Sequence, residues 1–96
     1  MPNVLDSARS GGRHAGLVRR YATEPASQIR KAIRSLHRRI DEHLDNINHP
    51  RDYLPPWATT ADINRLVNGY WPKEVALFRQ QVEILQALLK ERDDGN

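Results

Sequence analysis

His14 lies within Gly11-Gly12-Arg13-His14-Ala15-Gly16, and His43 follows Glu42; these two stretches carry the residue types that metal-free phosphodiester cleavage requires. In that reaction one group takes the proton of the ribose 2′-hydroxyl, another protonates the leaving oxygen, and cations hold the phosphate. The small residues around His14 would let backbone and imidazole approach a phosphate closely. Arg13, Arg19 and Arg20 would then form the anion clamp, and Tyr21 a stacking or hydrogen-bonding platform. Plainer readings stand beside these. On spacing alone His14 reads rather as a passenger on a flexible basic arm, His43 as a packing residue at the edge of a helix, and His37 as a solvated neighbour of Arg34, Arg38 and Arg39. Trp57 and Trp71 read mainly as core anchors.

Other chemistries find no support. The histidines at 14, 37, 43 and 49 show neither HxxxH nor HExxH spacing, and the nearest acids form no ligand cluster, so no metal is expected. The glycines are too sparse for a nucleotide fingerprint, no Walker-type loop is present, and Ser10 and Ser35 lack a nucleophile-elbow context. No cofactor is expected. The chain has no cysteine, which excludes disulfides, zinc-thiolate sites and thiol nucleophiles. No apolar run approaches the roughly 18 residues of a membrane span. The first residues lack the apolar core of a secretory signal, so classical export is not expected.

Charge is unevenly distributed. From Arg9 to Arg39 nine basic residues face Glu24 alone, a local charge of +8, whereas from Ile40 onward six basic residues face ten acidic ones. A basic lobe of this kind attracts RNA, DNA or an acidic protein, with affinity that falls as salt rises. Its binding residues would be Arg13, Arg19, Arg20, Tyr21, Arg30, Lys31, Arg34 and Arg38. The same run also reads as a solvated Arg-rich helix face with no ligand.

The elements that must position these residues follow from apolar spacing. Residues 1–22, rich in glycine and serine and weakly periodic, read as a flexible basic arm, with at most a short amphipathic turn near Leu17, Val18 and Tyr21. Residues 23–96 read as the folded domain. Thr23-Glu24-Pro25 resembles a helix start, and Ile29, Ala32, Ile33, Leu36, Ile40, Leu44 and Ile47 form one stripe of a helix running to about Asn48 and stopped by Pro50. Trp71, Val75, Phe78, Val82, Leu85 and Leu89 form a heptad-like seam on a second long helix, with Pro72 in its first turn and fraying over 91–96. Leu77, Ile84 and Leu88 widen that face beyond what one partner needs, which leaves self-association into a homo-oligomer open. Between the long helices, Tyr53, Leu54 and Trp57 would cap the seam, and a short helix would start at Thr60 and end at Gly69. The predicted class is all-α: two long antiparallel helices in a hairpin, a short third helix and a mostly irregular N-terminal arm.

Gly11 to Gly16 with Tyr21, Ile33-Arg34-Ser35-Leu36, Arg39-Ile40-Asp41-Glu42-His43, Ile47-Asn48-His49-Pro50, Tyr53, Trp57, Trp71-Pro72 and Val82-Glu83-Ile84-Leu85 together span about 80 residues. Their order resembles the C-terminal toxin module of bacterial Rhs-type and contact-dependent-inhibition polymorphic toxins. The resemblance implies an effector of interbacterial competition, commonly a nuclease, paired with a cognate immunity protein. It puts forward His14 with Arg13 and the Glu42-His43 pair as functional candidates, with Tyr21 in support. The chain departs from that pattern in starting at Met1 without a delivery region. The expected function is therefore a toxin-type effector engaging RNA through the basic lobe, a metal-independent ribonuclease if it is an enzyme. The alternative is a non-catalytic helical module that binds nucleic acid or an acidic protein.

Overall fold

The computed structural model describes residues 4–94 and is all-α, with no strand among those residues. Six helices follow in order: α1 Val4–Arg9, α2 Ala15–Tyr21, α3 Ala26–Asn48, α4 Pro50–Tyr53, α5 Thr60–Arg65 and α6 Trp71–Asp94, with a π-helical turn, Leu66–Tyr70, between α5 and α6. Among the described residues no helix is long and apolar enough to cross a membrane.

The two long helices pack against each other. Near the start of α3, Ile29 meets Ile84, Leu85 and Leu88 late in α6, whereas Ile40 further along α3 meets Val75 and Val82 early in α6. No side chain caps the start of α3, whose N-cap is Pro25. A rod of 23 residues, about 35 Å long, therefore depends on burying its apolar stripe against α6. Ile29, Ile84 and Leu85 lose all solvent contact at the centre.

The N-terminal segment is not the irregular arm that its composition predicts. Within residues 1–22, Val4–Arg9 and Ala15–Tyr21 are helical, and Leu5, Ala8 and Val18 are buried with Ile84, Leu85 and Leu88. The core thus runs across the expected boundary at residue 22; the first three residues of the expected arm lie outside the described range. Gly11 and Gly12, read from sequence as a close approach to phosphate, instead terminate α1. Gly11 takes a φ of +93° and donates its N–H to Ala8 O at 3.2 Å, while Gly12 donates to Ser7 O at 3.0 Å. These are the paired bonds of a Schellman motif, which needs a residue free to enter the left-handed region.

The widened face of α6 is accounted for in part by the same segment, since Leu77 belongs to neither buried cluster. Ile84 and Leu88, which suggested a second copy of the chain, are covered by α1 and α2. Polar contacts reinforce the docking. Arg9 at the end of α1 makes a two-pronged ion pair with Glu91, one prong at 2.9 Å. Arg92 donates to the carbonyls of Tyr21, at 3.3 Å, and Ala22, at the carbonyl end of α2. Residues 91–94, expected to fray, are held in helix by these contacts; the last two residues of that expected tail are not described.

Other boundaries shift for local reasons. Pro50 stops α3 but opens α4, where a proline at the first helical position loses no hydrogen bond. Thr59, not Thr60, starts α5 through a capping box: its hydroxyl accepts from Asp62 N, and Asp62 accepts from Thr59 N. Gly69 does not end that helix. Trp71 N–H reaches back to Leu66 O, so the chain widens by one residue and continues into α6. The wider turn lies directly before Pro72, whose ring would otherwise crowd the carbonyl one turn back. Trp71 is only 4% exposed, but Trp57 is 81% exposed and caps no seam. Tyr53 meets the edge of Trp71 at 5.6 Å while remaining open to solvent itself.

Two stability measurements follow from these details. A Cβ at Gly69 meets nothing within 4 Å and the backbone there has no positive φ, whereas a Cβ at Gly12 would lie 2.6 Å from Ser7 O. Gly69→Ala should stabilise the fold by about 0.5–1 kcal/mol, raising the melting temperature by roughly 2–8 °C, and Gly12→Ala should lower it; calorimetry of both variants checks the signs. Hydrogen bonding from Arg9 holds the Glu91 carboxyl below its ordinary value, and the Thr59 side chain and backbone do the same for Asp62. Their contribution is present in full above the unfolded carboxyl value of about 4 and is lost as pH falls through the lower folded value. Thermal unfolding followed from pH 7 into acid should show a falling midpoint, and Glu91→Gln should make that fall shallower.

Candidate polyanion-binding groove

Where α2 and α3 lie side by side on α6 they leave an open groove of about 450 Å³. Its α3 wall is a run of steps of three and four, Gln28, Lys31, Ser35 and Arg39, with Ala32 and Leu36 deeper; α2 contributes Leu17, Arg20 and Tyr21, and α6 contributes Gln81 and Leu85. Residues at these spacings share one helix face. The same stripe that packs α3 on α6 therefore sets the direction of the polar row beside it. Arg20, Lys31 and Arg39 line the groove and no carboxylate does.

The cations of the chain divide into two groups. Arg9 is neutralised by Glu91, Arg30 approaches Asp93 at 3.9 Å, and Arg65 pairs with Asp62 at 3.3 Å. No described carboxylate pairs with Arg13, Arg19, Arg20, Lys31, Arg34, Arg38 or Arg39. Two of the groove cations are positioned by aromatic rings: the Arg20 guanidinium carbon lies 5.0 Å from the Tyr21 ring centre, and that of Arg39 lies 5.9 Å from the centre of Phe78. A ring orients a guanidinium without cancelling its charge, so both keep their attraction for an anion.

The sequence-derived site residues are only partly assembled. Arg20, Tyr21 and Lys31 line the groove. Arg34 and Arg38 are exposed on α3, three and seven residues beyond Lys31, and extend the basic face outward from it. Arg13 lies in the turn before α2 and Arg19 on the exposed side of α2, both outside the lining. Arg30, about 100° around α3 from Lys31, leans toward the end of α6.

The proposed acid and base do not meet. His14 Nε2 lies 3.0 Å from Gln80 Oε1, and His43 packs edge-on against Phe78 at 5.2 Å. Positions 78 and 80 of one helix point about 200° apart, so the imidazoles engage opposite sides of α6. Glu42 and His43 diverge by about 100°, and Glu42 is exposed. What orients His43 is backbone: its Nδ1 lies 2.9 Å from the carbonyl oxygen of Arg39. Since that oxygen only accepts, Nδ1 carries the proton and Nε2 of the neutral ring is left as an acceptor. His43 is four residues past Arg39 and so continues the row of the groove wall. Among the described residues no cluster of three or more His, Asp or Glu side chains could hold a metal ion.

Arg39 belonged to the basic lobe but not to the sequence-derived binding set, although its spacing from Lys31 and Ser35 was visible. Gln28 and Gln81 carried no signal, because their role depends on α2 docking beside α3. Comparison with protein-family models, curated proteins and solved structures finds no match.

Proposed function

We propose that this protein is an RNA-binding helical module of the toxin-effector type, with its ligand held in the groove between α2, α3 and α6. The observation that carries the reading is the set of three cations, Arg20, Lys31 and Arg39, in one groove without a carboxylate. Two of them are aimed by rings, so their order does not come at the expense of charge. Tyr21 adds an aromatic face of the kind that stacks on bases. The resemblance of the short motifs to polymorphic toxin modules supplies the setting, in which a cognate immunity protein would be acidic and compete for the same groove. The separation of His14 from His43 favours binding without turnover over a two-histidine ribonuclease.

Binding of a fluorescent RNA oligomer, measured over a series of salt concentrations, tests the reading. Three phosphates neutralised on a single strand give a logarithmic salt slope of about −2. Arg20→Ala, Lys31→Ala and Arg39→Ala should each reduce its magnitude by about 0.7, whereas Arg30→Ala, at a residue that faces Asp93, should not. An RNA affinity indifferent to salt, or lost equally with Arg30→Ala, would dispose of the groove.

One observation keeps a catalytic form in play: the His43 ring, oriented through its Nδ1 by the Arg39 carbonyl oxygen, one turn beyond Arg39. If bond cleavage occurs, it proceeds in chelator, His43→Ala abolishes it and His14→Ala does not. Gel analysis of labelled RNA with the purified variants separates the two forms, and intact RNA with the unsubstituted protein leaves the binding module alone.

A further inference from the structure

Resting on the RNA reading, we infer that the groove takes a single unpaired base with its adjoining phosphates, and that Gln28 and Gln81 read the edge of that base. Phosphate recognition alone requires only exposed cations. This groove has in addition an aliphatic floor, the partly exposed Leu17, Ala32 and Leu36, below its basic wall. Such a floor has no use against a sugar-phosphate backbone, but it matches the flat face of a nucleobase, which stacks on apolar and aromatic surfaces. The volume, about 450 Å³, lies in the range of sites for one small organic ligand, roughly 300–1,000 Å³. A base pair carrying both backbones does not enter such a space.

The polar complement is also that of a base reader. Gln28 comes from α3 and Gln81 from α6, and neither amide has a side-chain partner among the described residues. Gln80, the preceding residue of α6, shows the contrast: its amide oxygen is engaged by His14 outside the groove. An amide offers a donor and an acceptor side by side, which pairs two-pronged with the amino group and ring nitrogen of adenine. The groove cations are then available to the phosphates on either side of the inserted nucleotide. Cytosine offers the same donor and acceptor pair on a single ring; adenine, whose two-ring face covers more of the apolar floor, is the single-stranded base that uses the floor, the amides and the charges together.

The test uses the full chain and short labelled RNA oligomers of one base each, oligo(A), oligo(U) and oligo(C), at one salt concentration, with an oligo(A)·oligo(U) duplex as competitor. Oligo(A) should bind at least about fivefold tighter than the other two, and the duplex should compete poorly against it. Gln28→Ala and Gln81→Ala should flatten the preference among bases while leaving the salt slope unchanged, because neither removes a charge; helicity of each variant is checked by circular dichroism. Comparing oligomers on the unsubstituted protein does not depend on any variant folding. Equal binding of all three oligomers, or effective competition by the duplex, overturns base reading and leaves phosphate binding in place. Absence of salt-sensitive binding to any of them overturns the RNA reading as well.

Discussion

The apolar face of α6 is too wide for one partner helix, and the rest of the molecule is organised by that constraint. Val75 and Val82 are met by α3, but Ile84, Leu85 and Leu88 also turn toward the other flank, where Leu5, Ala8 and Val18 close over them. Each of the Val, Leu and Ile side chains among these adds about 1.5–3 kcal/mol when removed from water, and the methyl of Ala8 less. The short helices α1 and α2, six and seven residues long, would be marginal alone and depend on that burial. The groove is the seam left between the two flanks. Its existence thus depends on docking of a segment whose composition suggests no more than one short turn of structure.

Electrostatics then sorts the basic residues by neighbour. Acids near the end of α6 neutralise the cations that lie over the docking surface, Arg9 and Arg30, and Arg92 of the same turn closes the carbonyl end of α2. These pairs are exposed and individually weak; their effect is to fix the seating of the flanks. The cations of the groove sit beyond reach of those acids. A chain with a modest net charge of +3 presents in this way a concentrated positive surface on one side.

Much of the architecture was legible because the apolar spacing of α3 and α6 is regular, and the end of α3 near Asn48 was marked by Pro50. The failures have a common origin. Leu5, Ala8, Leu17 and Val18 are too few to show a period, and only the width of the α6 face hinted that something must cover it. Gly11, Gly12, Gly69 and Pro72 are ambiguous locally: the first two end a helix, while the last two are absorbed within one by a widened turn. At the candidate site, charge composition marked a basic region but could not tell Arg30 from Lys31, adjacent residues with opposite surroundings. Pairing His14 with His43 failed because sequence does not say on which side of α6 each one docks.

The widened turn before α6 also acts as a phase offset. One extra residue in a helical turn advances everything beyond it by about 100°, so the residues of α5 and those of α6 do not belong to a single periodic face. Ile63 on one side and Trp71 on the other are therefore read against separate origins. Numbering the heptads continuously through residues 60–94 would misassign inward and outward positions on one side of Gly69. The long C-terminal rod is one object mechanically and two objects in register.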